Sequence, residues 1–298
     1  MSRRYIYFGS FASATWFSDL FGMPDGAYSI RKLTPLSTNC IRVRRSSDNA
    51  EQDIGFVSNT PNALLDTTSL LSFVGAGNGF ITTWYDQSTN NRHKIQTGGS
   101  FQPQIVSSGS LIVDNTNPAI SRGVNTGAWL YGAFTSPSGD ILTTTYMVAK
   151  RLTGSGYSAI ARLTPITNSA TDRRNIGLSI ESTTSYGVRY EGGNTLFTSG
   201  SGFTQSIFTS WRDTANTAFK SRRNSSNLSV ASSSASQNLS ILSDSAFTLF
   251  HTGGVSGYAN TSGTNVDAVC QEVIWYLNDN SSQNLAIETN INDFYNVF

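Results

Sequence analysis

From Leu111 onward the sequence repeats one pattern: short runs rich in β-branched and aromatic residues, each closed by a cluster of Gly, Asn, Ser or Pro. The runs are Leu111–Val113, Ile141–Ala149, Ser158–Leu163, Ile176–Ile180, Tyr186–Tyr190, Phe203–Trp211, Thr217–Ser221, Phe247–Phe250 and Ala268–Leu277. The punctuation between them includes Asn125-Thr-Gly127, Pro137-Ser-Gly139, Glu191-Gly-Gly-Asn194, Gly253-Gly254 and Thr261-Ser-Gly263. Such runs are too short for amphipathic helices and carry the turn chemistry of strand connections, so the pattern predicts an antiparallel sandwich or barrel.

Composition agrees with that reading. Charged residues make up 13% of the 298-residue chain, about half the usual share. Ser, Thr, Asn and Gly fill the gap; Gly and Asn tolerate positive φ, and Ser, Thr and Asn bond the backbone at corners. The net charge of +1 provides no field for nucleic acid or anionic lipid, so neither is expected as a partner. Arg42 and Arg44 alternate with Ile41 and Val43, as on the open face of a strand. Asn224 to Gln237 is Ser- and Asn-rich and predicts an exposed loop or edge-strand tip.

Cys40 and Cys270 are the only cysteines and sit in mostly apolar runs, which predicts buried free thiols. The first residues contain Arg3 and Arg4 but no apolar stretch of signal-peptide length, and no run approaches a transmembrane span. These features lead to the expectation of a protein made and folded in a cytoplasm.

Two segments depart from the strand pattern. Asp66 precedes Leu70, Leu71 and Val74 at the spacing of a short capped helix. Near the end, Leu285, Ile287, Ile291, Phe294 and Tyr295 fall at helical spacing, with Ser281 or Ser282 as the N-cap. Residues 1–26 are aromatic-rich, with Tyr5, Tyr7, Phe8, Phe11, Trp16, Phe17 and Phe21, and end in the turn Met23-Pro-Asp-Gly26. They form either a first strand or an arm that docks on a partner. Residues 27–298 show no repeat and no linker, which implies one domain.

The segments Ala27-Tyr-Ser-Ile-Arg-Lys-Leu33, Ile41-Arg-Val-Arg-Arg-Ser-Ser-Asp48, Gln52-Asp-Ile-Gly55 and Thr82-Thr-Trp-Tyr-Asp-Gln-Ser88 resemble, in that order, the opening of the α-L-arabinofuranosidase B catalytic domain. They also resemble lectin-like proteins of bacteriophage genomes, as does the close from Glu272-Val-Ile-Trp-Tyr276 through Asp279 to Tyr295. The resemblance implies a concanavalin A-like, laminin-G-like jelly-roll sandwich with a short C-terminal helix. Where the family has a Gly-containing turn after Asp-Gln-Ser, this chain has Thr89-Asn90-Asn91, and Asn91 can still supply a left-handed residue.

Retaining glycosidases place two carboxyl groups about 5 Å apart, one as nucleophile and one as proton donor. By the resemblance, Glu181 at the end of Ile176-Gly-Leu-Ser-Ile-Glu181 corresponds to the nucleophile, with Ser179 where the family has an Asp. The acid of the family's Gly-Gly-Asp motif is replaced in Gly253-Gly254-Val255, and Ser158 to Arg162 stands where the family has paired cysteines. Three losses together predict a non-catalytic protein, with Asp267 as a displaced acid if catalysis survives.

Other chemistries lack their residues. His93 and His251 are the only histidines: His93 is expected at the surface and His251 hydrogen-bonded in the core. Gly75-Ala-Gly-Asn-Gly79 has no following Lys-Ser/Thr and predicts a turn rather than a nucleotide loop. Trp84, Tyr85, Asp86, Gln87 and Asn90 form the candidate glycan-binding set, because an aromatic beside an acid and an amide can stack on and hydrogen-bond a sugar. The competing reading puts Trp84 in the core and has Asp86 tie the turn. Asp86 and Asn90 fall far short of a calcium set, so no metal and no cofactor is expected.

Taken together, these readings lead to the expectation of a bacteriophage virion component, a head-decoration or tail-associated structural protein. It would be homo-oligomeric, held by other virion proteins and able to bind glycans. The alternatives are an arabinofuranosidase-like retaining hydrolase and a stand-alone carbohydrate-binding module.

Overall fold

The computed structural model describes residues 15–123, 128–134, 142–153, 158–165, 176–180, 185–190, 193–198, 204–212, 219–232, 245–249 and 267–298. Among them the fold is antiparallel β-sheet closed by a C-terminal helix, as the strand and turn pattern predicts.

Two curved layers of strands face each other. In one, the final strand Asp267–Tyr276 lies between Thr144–Thr153 on one side and Gly26–Ser29 with Ile120–Ser121 on the other. Thr144–Thr153 then pairs with Ser206–Arg212, which pairs with Phe219–Arg223. In the other layer, Glu51–Gly55, Asn39–Arg45 and Gly79–Trp84 are neighbours. Lys94–Ile95 carries the pairing on to Leu130–Phe134, then Ser245–Leu249, Ser158–Pro165, Ile176–Ile180, Ser185–Tyr190 and Gly193–Thr198. Gln104–Ser107 joins the layers along one side, pairing with Gly79–Trp84 and at Ser121.

The main core fills the space between the layers, with Ile41, Val43, Ile81, Trp84, Met147, Phe208, Cys270, Val273 and Trp275 among its buried side chains. Both cysteines are free and buried, as expected, and burial pushes both thiols up, with smaller effects from Glu272 at Cys270. Helix α1 (Phe17–Phe21) and helix α3 (Asn284–Tyr295) cover the outer side of the first layer. There Phe17, Ile30, Tyr146, Ile274, Ile287, Ile291 and Tyr295 make a second apolar cluster. The final strand is therefore buried on both faces, which explains its near-continuous apolar sequence.

That strand is not a regular alternation. Ala149 pairs with Cys270 and Val148 with Glu272, so Gln271 is an extra residue, a bulge. Cys270 faces the main core, whereas Glu272 faces the helices. The bulged Gln271 uses its amide to donate to the carbonyls of Asp114, Asn117 and Pro118.

On the helix side, Glu272 meets Arg31, and both side chains are fully buried. Arg31 Nε and Nη2 donate to the two carboxylate oxygens at 2.8 and 2.9 Å. Nη1 donates to Asn62 Oδ1 at 2.9 Å and Asn290 Oδ1 at 3.0 Å. Ser29 Oγ and Tyr295 Oη complete the carboxylate at 2.6 and 3.1 Å. Phe17, Phe294 and Tyr295 surround the guanidinium with their rings. Burial alone would drive Arg31 towards losing its proton; Glu272 reverses this and raises its pKa.

Several sequence expectations change. Phe17–Phe21 form helix α1, the first described strand starts only at Gly26, and residues 1–14 lie outside the described residues. Helix α2 (Thr67–Val74) forms as predicted, Asp66 accepting from Ser69 N at 3.0 Å. The C-terminal helix forms too, but Ser281 and Ser282 lie in a preceding 3₁₀ turn and do not cap it. Leu285, expected on the buried side, is 59% exposed, and Asn284 and Glu288 are buried instead. Glu288 can occupy that face because Thr209 Oγ1 donates to it at 2.6 Å and Arg222 lies 3.2 Å away. The Ser-rich stretch after Asn224 takes the strand alternative of the two expected for it: Ser226–Asn227 pairs with Phe219–Arg223 and Ser229–Ser232 with Gly193–Thr198.

Removing one partner from a buried ion pair strands the other charge, at a cost of about 3–5 kcal/mol. Glu272→Ala is expected to lower unfolding free energy by that order in urea titrations. Arg31→Met with Glu272→Leu should recover most of the loss.

Candidate functional site

The sequence-predicted sugar-binding set lies where the Gly79–Trp84 strand leaves the sheet. Trp84 pairs with Ile41 and Lys94, is fully buried, and meets the edge of the Tyr28 ring at 6.1 Å. Alternation turns Tyr85 to the opposite face, where its hydroxyl donates to Asp53 Oδ1 at 2.7 Å. Burial first, then this carboxylate, raises the Tyr85 phenol to about 12.

Asp86 is an internal staple. Its carboxylate accepts from Ala27 N (2.9 Å), Ser88 N (2.9 Å), Ser88 Oγ (2.8 Å) and Arg92 N (2.9 Å). Gln87 is fully buried beside it. Its Oε1 accepts from Leu33 N at 2.8 Å, and its Nε2 donates to the carbonyls of Ser29 and Arg31 at 3.1 and 2.9 Å. Gly26 has no Cβ because one would sit inside the Trp275 indole, so only glycine lets the facing strand close on this turn. Asn91 adopts φ 53°, the left-handed conformation expected of it. Asn90 is exposed and donates to the Asp25 carbonyl at 2.9 Å.

The five candidates therefore separate. Trp84, Asp86 and Gln87 are enclosed and spend their polar atoms inside the fold or their rings in the core, while Tyr85 and Asn90 reach the surface. The set is not one surface constellation, because burial of Trp84 and Gln87 leaves no room for a sugar against them.

His93 is partly buried rather than exposed: its Nδ1 accepts from Asp86 N at 3.1 Å, and its ring meets Tyr85 edge-on at 4.9 Å. Burial lowers its pKa, against an opposing effect of Asp86. Lys94 was not singled out from sequence, since it lies in a polar run. It is fully buried, with Nζ 4.9 Å from the Tyr28 ring centroid. Burial drives its pKa down to about 7; Asp86 opposes this and Arg92 adds to it.

The second candidate region lies at the ends of later strands. Asp267 opens the final strand opposite Thr153, as expected of its place in the sequence. Its Oδ1 accepts from Ser121 Oγ at 3.1 Å and Gly123 N at 3.0 Å. Ile180, the residue before Glu181, pairs with Ser158. Asp267 thus pairs at the end of the Thr144–Thr153 strand and Ile180 at the start of the Ser158–Pro165 strand, and the two strands are separated by only residues 154–157 in sequence. Glu181, His251 and Gly253-Gly254-Val255 lie outside the described residues. Among the described residues no group of His, Cys, Asp and Glu is arranged to hold a metal ion.

No family model matches the sequence, and no curated protein matches it. Solved structures do match. A GH54 α-L-arabinofuranosidase soaked with a cyclic sulfate inhibitor aligns over 92% of this chain with TM-score 0.61 at 16% identity. A Glu→Gln mutant of a GH54 enzyme soaked with 4-nitrophenyl α-L-arabinofuranoside aligns over the same share at 0.58 and 17%. An arabinofuranosidase complexed with arabinofuranosyl-α-1,2-xylobiose aligns at 0.56 and 16%. The fold is shared. The chain spans 64% of the length of each of these three structures.

These matches correct two expectations. The likeness to arabinofuranosidases runs through the whole sandwich rather than the first ninety residues, so the non-catalytic virion component is overturned. A non-enzyme is overturned with it. Neither the head-decoration nor the tail-associated role finds support among these structures.

Lys94 yields a pH prediction. A free lysine titrates near 10.4, so between about 7 and that value the folded chain sheds a proton that the unfolded chain keeps. Stability gained from the neutral amine is complete above the free-lysine value and is lost as pH falls through about 7. The urea midpoint of the wild type should rise from pH 7 to pH 10, and Lys94→Met should flatten that rise.

Proposed function

We propose that this chain is an arabinofuranosidase-like retaining glycoside hydrolase acting on α-L-arabinofuranosides, on a sandwich of the concanavalin and laminin-G kind. The observation that carries the reading is the alignment of 92% of the chain with arabinofuranosidases at TM-score 0.61. The sequence resemblance of residues 27–88 is drawn from a different kind of comparison and supports it.

Glu181, directly after the Ile176–Ile180 strand, is the nucleophile in this reading. Its carboxylate attacks the anomeric carbon as the glycosidic oxygen leaves with a proton, giving a glycosyl-enzyme ester that water then hydrolyses. The proton donor in this reading is Asp267, because Val255 has no proton to give and Asp267 pairs with Thr153, five positions in sequence before Ser158, the partner of Ile180. Ser121 and Gly123 orient its carboxyl group.

One pair of assays tests the reading. Wild-type protein should release nitrophenol from 4-nitrophenyl α-L-arabinofuranoside, and Glu181→Gln should reduce kcat/KM by more than about 10³-fold. Asp267→Asn should reduce hydrolysis of an arabinofuranosyl xylo-oligosaccharide more than that of the aryl glycoside, because nitrophenolate leaves without a proton. No release of nitrophenol by the wild type would overturn it.

A further inference from the structure

The outer face of the Asn39–Arg45 layer carries aromatic and polar side chains that the proposed catalytic centre does not use. Antiparallel partners point to the same face. The register therefore puts Asp53, Arg42, Thr83, Ile95 and Tyr131 in one row across five strands. Arg42 is exposed, and Thr83, Ile95 and Tyr131 are partly exposed, which makes this the open face. Tyr85 lies two residues beyond Thr83 on the same face. Trp129 packs beside Tyr131 with ring centroids 5.0 Å apart and planes 33° from parallel.

The row has three properties that together select one kind of ligand. Its rings stand in two places, Tyr85 with His93 at one and Trp129 with Tyr131 at the other, with Ile95 between them. Two strand spacings across and two residues along put these about 12 Å apart, a separation that suits an extended chain. The polar groups beside Tyr85 are a carboxylate-guanidinium lattice: Arg42 Nε lies 3.3 Å from Glu51 and 3.5 Å from Asp53, which also accepts the Tyr85 hydroxyl. Such a lattice offers adjacent donors and acceptors to vicinal hydroxyls. Finally, the charges balance: Glu51 and Asp53 against Arg42 and Arg44, the latter lying over Phe80 at 4.8 Å. A balanced face has no preference for an ionic partner.

We infer that this face is a binding platform for a neutral polysaccharide chain, with Tyr85, Trp129 and Tyr131 as stacking rings and Asp53 and Arg42 as hydroxyl partners. The same backbone row continues from Tyr131 through Thr248 and Arg162 to Gly177, in the strand that ends just before Glu181. A chain lying along it is directed towards the proposed centre. The inference rests on the carbohydrate reading of this fold but not on hydrolysis by Glu181.

Affinity electrophoresis of the full chain through gels with and without soluble wheat arabinoxylan tests it, since retardation requires no bond cleavage. Wild type should be retarded, as should Glu181→Gln. Tyr131→Ala and Tyr85→Ala should lose at least tenfold in affinity. Tyr85→Phe, which keeps the ring but drops the bond to Asp53, should lose less. Val57→Ser, at an exposed position off this row, should behave as wild type, and thermal melts verify that each variant folds. Equal retardation of wild type, Tyr85→Ala and Tyr131→Ala would overturn the site, as would no retardation of wild type. So would a change of oligomeric state in these variants with retardation intact, which would assign the face to protein contact. Retardation without nitrophenol release would leave the platform standing while the hydrolase reading failed.

Discussion

The Arg31–Glu272 pair holds four parts of the chain at one point. Arg31 follows the first described strand, Glu272 lies in the final strand, Asn290 and Tyr295 belong to α3, and Phe17 belongs to α1. A fully buried guanidinium is tolerable only when each N–H finds an acceptor and the opposing charge lies in contact. Here both conditions require the two chain ends to be in place together. The pair thus acts as a check on assembly: the helices cannot close over the sheet in another register without stranding a charge.

The turn after Trp84 works by the same economy at the other end of the first strand. Asp86 and Gln87 spend nearly all their hydrogen-bonding capacity on main-chain groups of residues 27–33 and 88–92. Residue types that read as a sugar site are therefore a joint between two segments nearly sixty residues apart. Tyr85 escapes that role because strand alternation turns it outward. This leaves it on the open face beside Asp53, in the row inferred to be a binding platform.

The fold class was legible because its signals are local. Strand runs such as Ile176–Ile180, the capped helix after Asp66 and the left-handed Asn91 all depend on neighbours a few residues away. The candidate site was less legible because burial is not local: Trp84 and Tyr85 are adjacent aromatics, and only packing decides which one meets solvent. The same holds for Leu285 and Glu288. Apolar spacing favoured burying the leucine, yet Glu288 takes the inner face because Thr209 and Arg222, on strands far away in sequence, meet it there.

By itself the sequence determined an antiparallel sandwich with a helical close, two buried thiols, and an opening segment that resembles that of arabinofuranosidases. The tertiary structure alone decided the bulge at Gln271, which puts Cys270 in the core yet turns Glu272 to the helix side. A period-two pattern cannot reveal such a shift, because one inserted residue exchanges the faces of everything beyond it without changing which residues are apolar. The same register, summed across strands, aligns Asp53, Arg42, Thr83, Ile95 and Tyr131. Those residues are scattered from position 42 to position 131 of the sequence, and only strand pairing makes them a surface.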